Sequence, residues 1–251
     1  MTLKHQTVLL TGGAGDLGTR IARRLAEGGA EVVLLDRQAP KEATYEAVQA
    51  DLATAEGLEA AAEQVRRYAP SILVNLAGLQ HFGPFEAESV DHLQMTYMVN
   101  LVAPVRLAQA ALPAMRARGS GQIVNVGSIF ASINFAHFTT YSSSKAGLKG
   151  FSQALRRELA GSGVGVTYVA PRAIRTAFNS SKVMEFAART RMTLDDPDRV
   201  ADRLVRAIAR RERDVYLGFP ETLFVRLNAL APGLVDRALA ASDRNVAQMF
   251  T

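Results

Sequence analysis

Short runs of β-branched and aliphatic residues alternate along this chain with longer segments whose apolar positions recur every three or four residues. The short runs are residues 8–10, 31–35, 72–74, 123–126, 164–169 and 215–217, each predicted as a strand, with helices between them. That alternation predicts an α/β fold, a doubly wound parallel sheet with crossover helices. In the first crossover Leu17, Ile21 and Leu25 recur every four residues and Gly28-Gly29 ends the pattern, the signature of a helix closed by a left-handed cap. Asp196-Pro197 reads as an N-cap followed by proline at the first helical position, and Val200, Leu204 and Ile208 form the apolar stripe of the helix it starts. After Gly218 two amphipathic pieces follow, one carrying Leu223, Phe224, Leu227 and Leu230, the other Leu234, Val235 and Leu239 beyond Pro232-Gly233. No linker or repeat interrupts the chain, so one domain is expected. Residues 1–218 would form its main body, with a helical segment after Thr176, and residues 219–251 a helical extension of the same domain.

Composition narrows the chemistry. With 251 residues, 48% hydrophobic and 21% charged, the chain has the material for a sizeable core, which excludes a disordered tail or a coiled coil. The absence of cysteine excludes disulfides, thiolate metal sites and a cysteine nucleophile, and four scattered histidines lead to the expectation of no metal site. No apolar run reaches the ~18 residues of a membrane span, and the segment before the first apolar run is too short for a signal peptide, so a cytoplasmic protein is expected. The charge of +5 and pI near 9.7 invite a polyanion partner. The six arginines of residues 199–214 alternate with Asp202, Glu212 and Asp214 on what reads largely as one amphipathic helix, however, and a nucleic-acid footprint is more one-sided.

The first strand-to-helix turn reads Thr11-Gly12-Gly13-Ala14-Gly15-Asp16-Leu17-Gly18. Gly13, Gly15 and Gly18 satisfy the GxGxxG spacing, and a strand before and a helix after are the context that gives the motif meaning. Glycines there permit positive φ and bring backbone N–H groups close to a pyrophosphate beside the positive helix end, as in a Rossmann-type dinucleotide site. Asp36 ends the second strand, where a carboxylate accepts hydrogen bonds from both ribose hydroxyls of an adenosine and repels a 2′-phosphate, which favours NAD(H). Arg37 beside it keeps NADP(H) open.

Tyr141 and Lys145 stand four apart at the start of a helical segment and share a face, while Ser128 follows the strand of residues 123–126 at its C-terminal end, the ligand crevice of a doubly wound sheet. Proton transfer to or from an alcohol, coupled to hydride transfer, needs such a set. A phenol becomes usable near neutral pH when a fixed ammonium stabilises its phenolate. Lys145 would supply the ammonium, Tyr141 the acid or base, and Ser128 a donor to the substrate oxygen as it gains negative charge.

With these motifs the chain resembles the short-chain dehydrogenase/reductases over residues 7–217, in the short subgroup with a C-terminal helical extension. Residues 11–18, with Gly12 and Leu17 among them, resemble the family's cofactor turn, and Asp51-Leu52 matches its adenine-contacting pair. Asn75-Leu76-Ala77-Gly78 is similar to its Asn-Asn-Ala-Gly motif, and Asn100 matches a helix asparagine that holds a proton-relay water. The 13-residue step from Ser128 to Tyr141 is that of the short subgroup. The resemblance further implies that Lys145 holds the nicotinamide ribose and that Thr176 contacts the carboxamide, with Pro171 and Ile174 beside the cofactor. It implies an oxidoreductase acting on a small carbonyl or secondary-alcohol substrate, or alternatively an NADP(H)-dependent reductase of 3-oxoacyl or polyketide-like ketones. A binding-only scaffold or sensor is the remaining reading.

Three departures bear on that choice. Asp16 replaces the middle glycine of the subgroup's turn and either caps the helix or repels a pyrophosphate. Leu76 replaces the second asparagine. Pro171-Arg172 replaces Pro-Gly, and the arginine either clamps a phosphate or anionic substrate or lies on the surface. Ile129, Phe130 and His137 are candidate substrate contacts and suggest an apolar compound, with burial or a loop position as the alternatives. The 219–251 extension could cover the pocket, build a homo-dimer or homo-tetramer, or touch a membrane surface through Arg226 and Arg237.

Overall fold

The computed structural model describes residues 3–38 and 44–250. Seven parallel strands form one sheet: β1 (Thr7–Thr11), β2 (Glu31–Asp36), β3 (Glu46–Gln49), β4 (Ile72–Asn75), β5 (Gly121–Val126), β6 (Val164–Ala170) and β7 (Asp214–Tyr216). Their order is β3-β2-β1-β4-β5-β6-β7. The order reverses between β1 and β4, and the crevice at that switch point is where an open α/β sheet binds ligands. Six strands match the sequence expectation. The edge strand β3 is the addition: its residues are mostly exposed, so it carries neither the apolar run nor the alternation by which a strand is recognised.

Side chains alternate across the sheet. Leu9, Leu35, Leu73, Ile123 and Val166 pack under α2 (Ala55–Tyr68), α4 (Ala103–Ala117) and α5 (Thr139–Glu158). Val8, Leu10, Val74, Val124 and Val169 pack under α1 (Asp16–Glu27) and α7 (Pro197–Arg210). Burial on both faces explains why the central strands read as continuous apolar runs. α3 (Val90–Tyr97) runs through a wide turn at Met98–Val102 into α4. Contrary to the sequence expectation, this continuous segment Val90–Ala117 is long and apolar enough to cross a membrane. Half of its most apolar window is buried inside the fold, as befits a helix packed on a sheet.

The caps follow the expected chemistry. At the end of α1, Gly28 stays right-handed and Gly29 takes the left-handed conformation at φ 89°. The Asp196 carboxylate accepts from the backbone N–H groups of Asp198 and Arg199. The arginine-rich helix is shorter than expected, because Arg211 turns left-handed after Arg210 and Asp214 already belongs to β7. α6 (Ser181–Arg189) follows the Thr176 segment. The extension folds as α8 (Glu221–Leu230) and α9 (Pro232–Ala247), but the expected apolar stripe of α8 faces outward. Leu223 and Leu230 are exposed, whereas Val225 is the buried residue. The Asn228 amide donates to the Ser132 carbonyl at 2.7 Å, and Val246 of α9 joins the cluster around Phe138.

Candidate active site

A cavity of about 410 Å³ runs along the C-terminal ends of the strands, from the glycine turn past Asp36 and Asp51 to Ser128, Tyr141 and Lys145 and on to α6. At its first end the Thr11 hydroxyl accepts from the N–H groups of Leu76 at 3.0 Å and Ala77 at 3.1 Å, tying β1 to the segment after β4. The glycines serve different ends. Gly12, at φ 69°, lies so near that segment that a Cβ would stand 2.9 Å from the Ala77 nitrogen, and one on Gly18 would stand 2.1 Å from the Gly12 carbonyl. Gly13 faces the Leu34 side chain and does not line the cavity. Gly15 is exposed toward the cavity, so its backbone can be approached. The cradle therefore fits a pyrophosphate at a helix N-terminus.

Asp36 reaches back to this turn: its carboxylate accepts from the Ala14 N–H at 3.0 Å and from the Gln38 N–H at 3.1 Å. Arg37 is exposed at the cavity rim. Asp51 and Leu52 line the same end, with the Asp51 carboxylate fixed by the Ala53 N–H at 2.9 Å. Asp16 and Leu17 also line it. Asp16 does not cap α1, whose N-cap Gly15 has no side chain; it pairs with Arg20 at 2.8 Å. Arg20 also pairs with Asp198, and Arg24 bridges Asp198 and Asp202, forming an ion ladder between α1 and α7. The carboxylate that threatened the pyrophosphate site thus has a cation beside it.

At the centre, Ser128 leaves β5 with its Oγ accepting from the Phe130 N–H at 3.1 Å, while its carbonyl accepts from the buried Tyr168 hydroxyl at 3.4 Å. Tyr168 is a brace the sequence reading missed, since nothing distinguishes it from any other aromatic in a buried strand. Tyr141 and Lys145 face the cavity from α5, both buried. The Lys145 ammonium donates to the Val126 carbonyl at 3.1 Å and lies 6.0 Å from the centre of the Tyr141 ring. Gly78 makes room for it: a Cβ there would stand 3.5 Å from Nζ and 3.3 Å from Asn100 Oδ1.

Asn100 sits in the wide turn between α3 and α4. Its Oδ1 accepts from the Leu79 N–H at 2.8 Å, and its Nδ2 donates to the Leu79 carbonyl at 2.8 Å and to Ser144 Oγ at 3.0 Å. Both amide hydrogens are thus spent on bracing the loop after β4 against α5. Asn75 lies behind the cavity rather than in it, donating to Asn125 Oδ1 at 2.8 Å. Ala77, Pro171, Ile174 and Thr176 do line it.

Burial dominates the ionisation of the pair. It pushes the Tyr141 phenol up to about 12, with the Ser128 hydroxyl pulling the other way, and pushes the Lys145 ammonium down to about 8. The sequence expectation is that Lys145 lowers the phenol's pKa; burial of the phenol acts in the opposite direction. At neutral pH Tyr141 therefore holds its proton and Lys145 its charge.

Arg172 lines the cavity and is engaged by protein groups rather than lying free on the surface. Its guanidinium grips the Asp195 carboxylate with two hydrogen bonds, at 3.0 and 2.7 Å, and reaches the Phe219 carbonyl at 3.3 Å. Beyond Tyr141 the wall is aromatic: Phe130, Phe138, Phe178 and Phe186 line the cavity with Met95, Val183 and Met192. Of the three expected substrate contacts only Phe130 is there. Ile129 is fully buried in the core, and His137, at φ 66°, turns its ring onto Phe250 with 4.7 Å between centroids. Phe82 backs the wall, 4.6 Å from Phe138, 5.2 Å from Phe186 and 5.3 Å from Phe250 between centroids. Those rings come from segments far apart in the chain, and no local pattern joins them.

Residues 6–185 match the family described as short chain dehydrogenase. The chain is 33% identical over 267 residues to the ketoacyl reductase HetN of Nostoc sp., spanning 94% of this chain and 88% of that protein. Among solved structures, a short-chain dehydrogenase from Sphingobium yanoikuyae in complex with NADPH superposes with a TM-score of 0.76 at 28% identity, over 92% of this chain and 95% of that one. The bulky-bulky ketone specific alcohol dehydrogenase from Comamonas testosteroni superposes with a TM-score of 0.74 at 27% identity, over 92% and 94%.

Proposed function

The chain belongs to the short-chain dehydrogenase/reductase family and is an oxidoreductase that transfers hydride between a nicotinamide dinucleotide and a carbonyl or alcohol; on that premise we propose that it reduces apolar ketones, with Tyr141 as the acid. One observation carries this reading. Ser128, Tyr141 and Lys145 meet in one cavity whose far end is the glycine turn and whose near wall is aromatic, and the phenol is protonated at neutral pH.

Nicotinamide dinucleotide, when bound, supplies or accepts the hydride. Gly12, Gly15 and Gly18 would hold its pyrophosphate, Asp36 its adenosine ribose, Asp51 and Leu52 its adenine, and Lys145 and Thr176 its nicotinamide half. The Ser128 hydroxyl binds the carbonyl oxygen and gains most as that oxygen becomes negative, which is where a donor accelerates a reaction. Tyr141 delivers the proton to the same oxygen. The fixed charge of Lys145 favours the phenolate left behind. Asn100 keeps the loop and α5 in register around them.

Asp36 supports NAD(H), because its carboxylate stands where a 2′-phosphate would be repelled. A second reading, an NADP(H)-dependent reductase of 3-oxoacyl ketones, is supported by Arg37 at the rim and by the likeness to a ketoacyl reductase. Titration with NADH and NADPH in parallel, followed by nicotinamide fluorescence and thermal shift, decides between them: tighter NADH is expected, and tighter NADPH would give the rim to Arg37. Tyr141→Phe tests the chemistry. Turnover should fall by roughly 10²–10⁴-fold, the usual contribution of a general acid, with dinucleotide binding retained. Full activity in that variant would refute the assignment.

A further inference from the structure

Three side chains that play no part in the chemistry above come together beside the first turn of α5. His81 lies in the segment after β4, Glu88 follows the short turn Phe85–Ala87, and His92 is in α3. One ring nitrogen of each histidine and one Glu88 oxygen all lie within 4.8 Å of one another. The sequence spacing is His-x6-Glu-x3-His, and folding sets the two imidazoles 5.5 Å apart between centroids. The histidines that looked scattered along the chain are, in this pair, neighbours.

The surroundings are those of a built site. The Glu88 carboxylate is only 1% exposed, and the His92 Nδ1 lies within hydrogen-bond distance of its Oε1 at 2.8 Å. Its other oxygen accepts from the Thr140 hydroxyl at 2.5 Å. A carboxylate so far from water is stable only when well paired. His81 Nε2 is buried and has no hydrogen-bond partner among the described residues. A glycine stands in front of it, since a Cβ on Gly83 would lie 3.0 Å from that nitrogen. Thr96 Oγ1, 3.4 Å from His92 Nδ1, and Thr140 are the second ring of polar groups that ligating side chains usually carry.

We propose that His81, Glu88 and His92 bind a divalent cation of the zinc class. Two imidazoles and a carboxylate are a donor set such cations favour, with a fourth position left for water. Zinc–nitrogen bonds of about 2.0–2.1 Å place tetrahedral ligand atoms roughly 3.3 Å apart, so side-chain rotations on the order of 1 Å close the cluster around an ion. None of the three residues lines the cavity, so the ion takes no part in hydride transfer. Its effect runs through Glu88: the oxygen that holds Thr140 fixes the residue immediately before Tyr141. The site thus ties the loop after β4 and α3 to the start of the catalytic helix.

The test uses the whole chain, stripped with a chelator and titrated with zinc chloride by calorimetry, with the imidazole NMR signals of all four histidines followed in parallel. One equivalent should bind, the signals of His81 and His92 should move while those of His5 and His137 stay, and the melting temperature should rise with zinc concentration. His81→Asn and His92→Gln, both at partly exposed positions, should each weaken binding by more than the roughly 10–100-fold lost with a second-ring partner. Unchanged melting temperatures without zinc and retained dinucleotide binding would show that both variants fold. Failure of the wild type to bind zinc, binding undiminished in both variants, or movement of the His5 or His137 signals instead would overturn the site. Zinc that binds without changing kcat would overturn the link to Tyr141.

Discussion

At the dinucleotide end of the cavity the working surface is backbone, and at the substrate end it is aromatic side chain. The first is built from one continuous turn in which Gly12 and Gly18 leave no room for a Cβ. The second is assembled from rings on the loops after β4 and β5, on α5, on α6 and near the chain's last residues. A requirement on backbone writes itself into sequence as glycine at fixed spacing, whereas a requirement on apolar volume can be met by many residues in many places. The first end therefore carries its identity in eight consecutive letters and the second in its three-dimensional arrangement.

The largest effect is expected at the backbone end. Gly18→Ala drives a Cβ to within 2.1 Å of the Gly12 carbonyl, and since the obstacle is main chain the turn must open. The cost should exceed the ~1–3 kcal/mol of ordinary overpacking, and dinucleotide binding should disappear in the same thermal-shift titration. Retained binding would mean that the turn is not the pyrophosphate site.

The junction of the two ends should respond to pH. The folded-state pKa of Lys145 lies near 8, below its ordinary value of 10.5, so the charge is present at pH 7 and is lost as the pH rises through about 8. In a pH profile of kcat/KM for ketone reduction, which reports the free enzyme, activity should fall above that point, and in Lys145→Arg the fall should be absent. Stability runs the opposite way. Because the folded state binds this proton less tightly than the unfolded chain, the contribution of Lys145 to stability should rise between pH 8 and 10.5.

A smaller effect is expected at the aromatic wall. Phe186→Ala removes a 3%-exposed ring that lines the cavity, and should lower kcat/KM for a bulky apolar ketone by about 10–200-fold, the range of modest changes in an apolar pocket, while leaving NADH affinity within twofold. Smallest of all is His137→Ala. Its ring lies on Phe250 outside the cavity, so kcat should change by less than about threefold, as for a substitution away from reacting groups. A larger loss would return His137 to the substrate contacts.

Much of the fold was legible because periodicity, caps and the first turn all pointed to the same architecture. β3 was not, because a short exposed edge strand has no apolar face to display. The central site was legible in identity: Ser128, Tyr141 and Lys145 converge as expected. Its electrostatics were not, since the balance between burial and a nearby ammonium depends on depth, which no spacing encodes. Arg172 and Asp16 looked like departures with consequences for ligands: Arg172 pairs with Asp195, which only the fold brings near, while Asp16 pairs with Arg20 one turn along its own helix. The outward apolar face of α8 shows the same limit: the spacing of its leucines fixed a helix but not which side would find a partner.

Phe82 touches two rings of the wall, Phe138 and Phe186, together with Phe250 behind it, without lining the cavity itself. Residues in contact do not change independently. A substitution at Phe138, Phe186 or Phe250 is felt through Phe82 by the other two, so the pocket's shape is a collective property. In the currency of adaptation, a lineage or a laboratory selection seeking a new substrate here would advance by paired replacements. A single step would also shift the ring behind the wall and call for a second to restore the fit, while the proton chemistry passed unaltered from parent to descendant.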